Sequence, residues 1–302
     1  MKNRLYIGAF AVLTAVYVAL SFLVSPDPKS LKLYHLSTGG ARALTASFVI
    51  PISIIWLAGL YGSLKIRSYS QLVKKTKEGP AFSLLALGIV ALVITQPIAA
   101  VLTSLLGLTV RHHPTWAPTL TIINNYLGVI FMAISLVIIA MGAEKLSEPI
   151  KAKRGSWYRQ LWMLSFIALS SIYSYLIVSQ PIHASAARRG YFMPNWLILL
   201  TIAIPYLFFW YRGLYAAFTL YYYQKNIKGA IYKGSLSYLA AGITAVVVSS
   251  IAVKFISTVS TKISRLSLTP ILFIIYGFLV ILGAGFLLTA YGAKRLRRIE
   301  EV

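Results

Sequence analysis

The sequence predicts an all-α integral membrane protein. Eight transmembrane helices form two tandem parallel four-helix repeats, with a pseudo-two-fold axis along the membrane normal. Three observations predict this. Of the 302 residues, 58% are apolar and 12% are charged, about half the ~25% charged content of a soluble domain. The apolar residues are gathered into eight long continuous runs. The two halves of the chain also share a spaced set of identical residues. With a mean hydropathy of +0.76, the composition excludes a soluble globular enzyme. It equally excludes intrinsic disorder, which requires low hydrophobicity.

Crossing a hydrocarbon core of about 30 Å takes about 20 mainly apolar residues. Runs of that kind occupy roughly 5–24, 43–64, 81–106, 119–143, 160–180, 195–218, 235–256 and 269–293. A membrane barrel would instead show segments of about 10 residues with alternating hydrophobicity. The first run follows Lys2 and Arg4, as a secretory signal would. It is longer than the ~7–15 apolar residues of a signal, and no small-x-small cleavage site follows it. It is therefore expected to remain as the first helix.

Charge sets the orientation. The chain carries 29 Lys and Arg against 6 Asp and Glu, for a net charge of +23. With eight spans, 20 of the 29 cations fall on the side shared by the two termini and the loops after the second, fourth and sixth runs. Cations in short loops stay cytoplasmic, so both termini are expected inside a multi-pass cell-membrane protein. The basic residues lie at helix ends, where anionic lipid head groups attract each by about 1 kcal/mol. No basic stretch forms a nucleic-acid-binding module. The expected partners are anionic lipids at the cytoplasmic face and another membrane protein or a second copy of the chain, with no nucleic acid.

The duplication defines the domains, 1–150 and 151–302. With a shift of 154, residues 50–93 match 204–247 at fifteen of 44 positions. The matches include Pro51/Pro205, Trp56/Trp210, Gly59/Gly213, Tyr61/Tyr215, Tyr69/Tyr223 and Gly88/Gly242. With a shift of 150, the fourth run matches the eighth through Tyr126/Tyr276, Gly142/Gly292 and Leu146/Leu296. Four spans per unit is an even number, so the two repeats share one orientation.

Several intramembrane residues are candidates for a solute path. Pro51 and Pro205 each remove a backbone bond and free the carbonyl four residues earlier, at Ser47 and Thr201. The plainer reading is a paired kink; the sharper one is a broken helix lining a path. Arg212 and Lys254 stand where the first repeat has Ala58 and Ala100. Charges at membrane depth read as functional by default, although both lie near enough to an interface to snorkel. Gln96, Asn124 and Asn125 complete the set, as solute contacts or as amides bridging helices. The paired tryptophans and tyrosines read first as packing groups. The glycines read as points of close helix approach.

The catalytic and metal classes are thin. No cysteine is present, and no Asp or Glu falls inside a predicted span, which weakens proton- or sodium-coupled transport. His35, His112, His113 and His183 all fall on the outer side. They lack the spacing of a metal motif and are only weak candidate ligands. No cofactor is expected. No nucleophile elbow, phosphate-binding loop or metalloprotease helix occurs, so an enzyme is disfavoured. Two functions follow. One is a transporter- or channel-like protein for a small solute, an anion being most consistent with Arg212 and Lys254. The other is a non-transporting membrane scaffold or complex subunit that binds lipid or partner proteins.

Overall fold

The computed structural model describes residues 2–23, 38–112, 132, 134–147, 204–227, 230–260 and 268–300. Among these residues the architecture is all-helical: α1 (Lys2–Leu23), α2 (Thr38–Leu72), α3 (Gly79–His112), α4 (134–147), α5 (Ile204–Asn226), α6 (Ala230–Ser260) and α7 (Leu268–Glu300). The predicted fifth run, 160–180, lies outside the described residues, as do Thr201, Asn124, Asn125, His35, His113 and His183.

Three helical stretches, Thr45–Leu72, Gly79–Leu102 and Phe273–Glu300, are each long and apolar enough to cross a bilayer; Ile7–Leu23 in α1 is a shorter apolar helix. The outward faces are apolar. Phe273 is 74% exposed and Val280 70%, as suits side chains that face lipid tails rather than water. Hydroxyl groups sit inward, with Ser63, Ser135, Ser235 and Thr289 fully buried. Small and hydroxylated residues between helices are the pattern of membrane packing, where close approach replaces the hydrophobic drive.

The helices run past the predicted spans. The 35 residues of α2 extend about 52 Å at 1.5 Å per residue, well beyond the run 43–64. Helical hydrogen bonds hold in water as in lipid, so hydropathy marks where the bilayer ends and not where the helix does. Pro51 lies inside α2 and Pro97 inside α3 without ending either helix.

A tight turn reverses the chain between α2 and α3. The Thr76 amide donates to the Val73 carbonyl (3.0 Å), and the Ala81 and Phe82 amides donate to the Glu78 carbonyl (3.0 and 3.1 Å). Glu78 therefore stands at the N-cap of α3, followed by Gly79-Pro80, with proline in the first turn where its missing N–H costs nothing. A Cβ at Gly79 would come within 2.8 Å of the Lys74 backbone, so this turn requires glycine.

Glycines set the helix spacing elsewhere. Gly59 of α2 lies against Val93 of α3, and Gly213 of α5 against Val247 of α6. Gly88 of α3 meets the backbone of Ile139 and Ser135 on α4, and Gly242 of α6 meets that of Thr289 and Gly285 on α7. Gly142 lies on Leu85 and Ala81, and Gly292 on Leu239 and Ser235. Where α2 meets α7, Gly62 faces the carbonyl of Phe286, with 3.0 Å left for a Cβ. α1 packs on both α2 and α3, its Tyr17 ring 5.1 Å from that of Trp56.

Candidate functional site

Among the described residues, the densest polar cluster sits at the end of the bundle that carries the α2–α3 turn. Glu78 leaves that turn at the start of α3 and receives two phenols. Tyr223 of α5 donates to Oε1 at 2.8 Å, and Tyr232 of α6 donates to Oε2 at 2.7 Å. The Tyr232 hydroxyl also lies 3.0 Å from that of Tyr69 on α2. Tyr69 is fully buried and meets Phe82 edge-on at 4.8 Å. Three phenols from α2, α5 and α6 thus gather at one carboxyl group, two bonded to it directly and the third through Tyr232. Burial, reinforced by the hydrogen bonds to Tyr69 and Glu78, pushes the Tyr232 phenol above the usual tyrosine range; burial and the bond to Glu78 do the same for Tyr223. Both stay protonated as donors.

A second polar pair crosses between α5 and α4. The Arg212 Nη1 lies 3.1 Å from the Glu144 Oε1, with both side chains about a quarter exposed. Arg212 is one of the predicted solute-path residues, and the structure gives it a carboxylate partner. The sequence does not reveal that partner, because the fourth apolar run ends at 143 whereas α4 continues through 147. The Nε of Arg212 is buried with no acceptor among the described residues. Removing one member of such a pair strands the other. We expect Arg212→Gln or Glu144→Gln to cost about 1–3 kcal/mol, and the matched pair Arg212→Met with Glu144→Leu to recover most of it. Thermal unfolding in detergent measures both.

A third set of contacts runs along the seam between α2 and α7. Tyr276 donates to the Ser47 hydroxyl at 2.5 Å and stacks on Phe48 at 5.0 Å. Arg297 donates to the Ser68 hydroxyl at 2.8 Å. Each pair is separated by 229 residues in sequence, so the two helices run parallel in constant register. The clamps stand 21 residues apart, about 31 Å of helix, close to the thickness of a hydrocarbon core. Between them Gly283 meets Ile55, and Gly59 and Gly62 meet Phe286.

The other predicted site residues are scattered. Gln96 is exposed on α3. Pro51 lies one turn beyond Ser47 on α2. Pro205 falls in the first described turn of α5, Lys254 lies in α6 and His112 ends α3. Among the described residues no three His, Cys, Asp or Glu side chains come together as a metal site. The paired tryptophans are buried. Sequence reasoning missed Glu78, Tyr232 and Glu144. A usable signal existed for the first two, since they occupy equivalent places under the shift of 154 that aligns Tyr69 with Tyr223.

Comparison with protein-family models, curated proteins and solved structures finds no match to this chain.

Proposed function

We propose that the chain is an eight-span membrane protein built as a fused pseudo-dimer. In this reading it serves as a non-transporting scaffold or complex subunit, with both termini and its basic face turned toward anionic lipids of the inner leaflet. The repeat is supported by contacts that recur in register. Under the shifts of 154 and 150, Gly59–Val93 becomes Gly213–Val247. Gly88 on Ile139 and Ser135 becomes Gly242 on Thr289 and Gly285, and Gly142 on Leu85 becomes Gly292 on Leu239. The seam between the units follows the same rule. Gly59 meets Phe286 and Gly213 meets Leu136, so helix two of each unit packs on helix four of the other. Tyr69 reaches Tyr232 while Tyr223 reaches Glu78, again equivalent places. The agreement extends to pairs within and between the units, which supports the repeat.

The observation that carries the scaffold reading is the closure of the α2–α7 seam. Polar clamps join its two ends and glycine-to-phenylalanine packing fills the length between them. A path along this seam would have to part all of it. The absence of native cysteine allows a clean test. Ile55→Cys with Gly283→Cys should bridge, because a Cβ at Gly283 lies 3.3 Å from the Ile55 side chain, compatible with disulfide reach. In proteoliposomes, anion, cation and neutral-solute flux is expected to match that of protein-free vesicles, with the pair reduced or oxidised. Flux present when reduced and abolished when oxidised would overturn this reading.

The second reading is passage of a small anion. The Arg212 Nε, buried and without an acceptor among the described residues, favours it, since an N–H donor there would suit a negative group. Anion flux present in the wild type and lost in Arg212→Ala, with the variant still monodisperse in gel filtration, would establish this alternative.

A further inference from the structure

The second unit carries a cationic aromatic clamp on its lipid-facing side. Tyr238 of α6 and Tyr291 of α7 meet edge-to-face at 4.9 Å. The guanidinium carbon of Arg295 lies 5.6 Å from the first ring centroid and 5.8 Å from the second. Both tyrosines are exposed, and among the described residues no carboxylate reaches Arg295. Two rings hold the guanidinium by cation–π attraction while leaving its in-plane N–H groups available. Those groups match a phosphate in bidentate geometry. On α7, Val280, Leu287 and Tyr291 are spaced seven and four residues apart, so they share one face. That face is apolar and exposed above the clamp.

We propose that this clamp binds the phosphate of one anionic phospholipid, with an acyl chain lying along the outer face of α7. A soluble phosphate presents the same group without the chain, and the apolar stripe leading to Arg295 favours the lipid. The two halves provide an internal comparison. At the positions corresponding to Tyr238, Tyr291 and Arg295, the first unit has Leu84, Met141 and Lys145, so the site belongs to the second unit alone. Placement in the inner leaflet rests on the orientation proposed above; the clamp itself does not.

The test is lipid retention by the full chain in mild detergent, read by native mass spectrometry. The wild type is expected to keep one phosphatidylglycerol under conditions that strip phosphatidylcholine, and 10-fold excess inorganic phosphate over lipid should not displace it. Arg295→Gln, and the combined Tyr238→Leu, Tyr291→Met, Arg295→Lys variant, should each lower retention at least tenfold. Arg298→Gln, an equal change of charge outside the clamp, should leave it unaltered. Equal retention of the two lipids, an equal loss in Arg298→Gln, or displacement by inorganic phosphate would overturn the proposal. The combined variant copies residues that the first unit already carries at matching places, which guards against misfolding. A reporter fused after Val302 reads sidedness separately, so orientation and lipid binding can fail independently.

Discussion

Gly242→Leu is expected to be the most damaging single substitution in the bundle. A Cβ there would lie 2.5 Å from the Thr289 amide nitrogen and 2.6 Å from the Gly285 carbonyl oxygen. These are backbone atoms of α7, so no rotamer change relieves the clash; α6 and α7 must separate. That separation also opens the packing of Gly285 on Val246 and of Gly292 on Leu239. Overpacking costs 1–3 kcal/mol in ordinary cores, occasionally more, and here the upper end applies. The expected result is a fall in unfolding temperature of roughly 5–10 °C, with loss of the monodisperse peak in gel filtration. Gly88→Leu should behave alike, because its Cβ would lie 2.8 Å from the Ile139 amide. Gly277→Ala is the control: among the described residues nothing lies within 4 Å of a Cβ there, and alanine favours the helix by about 1 kcal/mol. A Gly242→Leu protein as stable as wild type would mean that the two helices are not in backbone contact.

The second large effect is expected at Glu78. Replacing it with alanine removes the acceptor for both Tyr223 and Tyr232. Hydrogen bonds to a charged group contribute about 1.5–3 kcal/mol each, so Glu78→Ala should cost about 3 kcal/mol or more. Glu78→Gln keeps one acceptor oxygen and should lose about half. Tyr223→Phe and Tyr232→Phe share that acceptor, so their combined effect should differ from the sum of the single ones. The cluster also gives a pH signature. Both phenols have raised pKa values in the folded state, against an ordinary 10.0. Their contribution is therefore complete below that pH and fades as pH rises above it. Unfolding temperature measured from pH 8 to 11 should fall more steeply for wild type than for the double phenylalanine variant. Parallel curves would show that the tyrosines do not couple folding to protons.

The helices and the glycine contacts were legible because each depends on short-range pattern. A run of apolar residues reports the bilayer, and a small residue amid bulky ones reports a neighbour close at hand. Gly59, Gly88, Gly213 and Gly242 each stand at a point of close helix approach, as their size implies. Helix ends were not legible. The C-terminal turns of α2 and α7 carry Lys65, Arg67, Arg295 and Arg297, which lower hydropathy without interrupting backbone hydrogen bonds. Partnerships were the least legible. Glu78 reads as one more charge in a basic turn, since its phenols arrive from residues 145 and 154 positions away. Arg212 reads as an isolated charge, because nothing in the spacing states that α5 lies beside α4. The repeat alignment weighs identities, whereas the informative positions here are ones where the halves differ.

That difference has a consequence for how the two halves relate. On the fused-repeat proposal, Glu78 and Tyr232 are the same position, and they touch each other. A true homodimer would bring two copies of one residue together at that point: two carboxylates would repel, and two phenols would lack the anionic acceptor that both tyrosines now share. On that proposal, divergence turned a self-facing site into a donor and an acceptor, and the two halves would no longer be interchangeable: neither would assemble with its own twin as well as with its sibling.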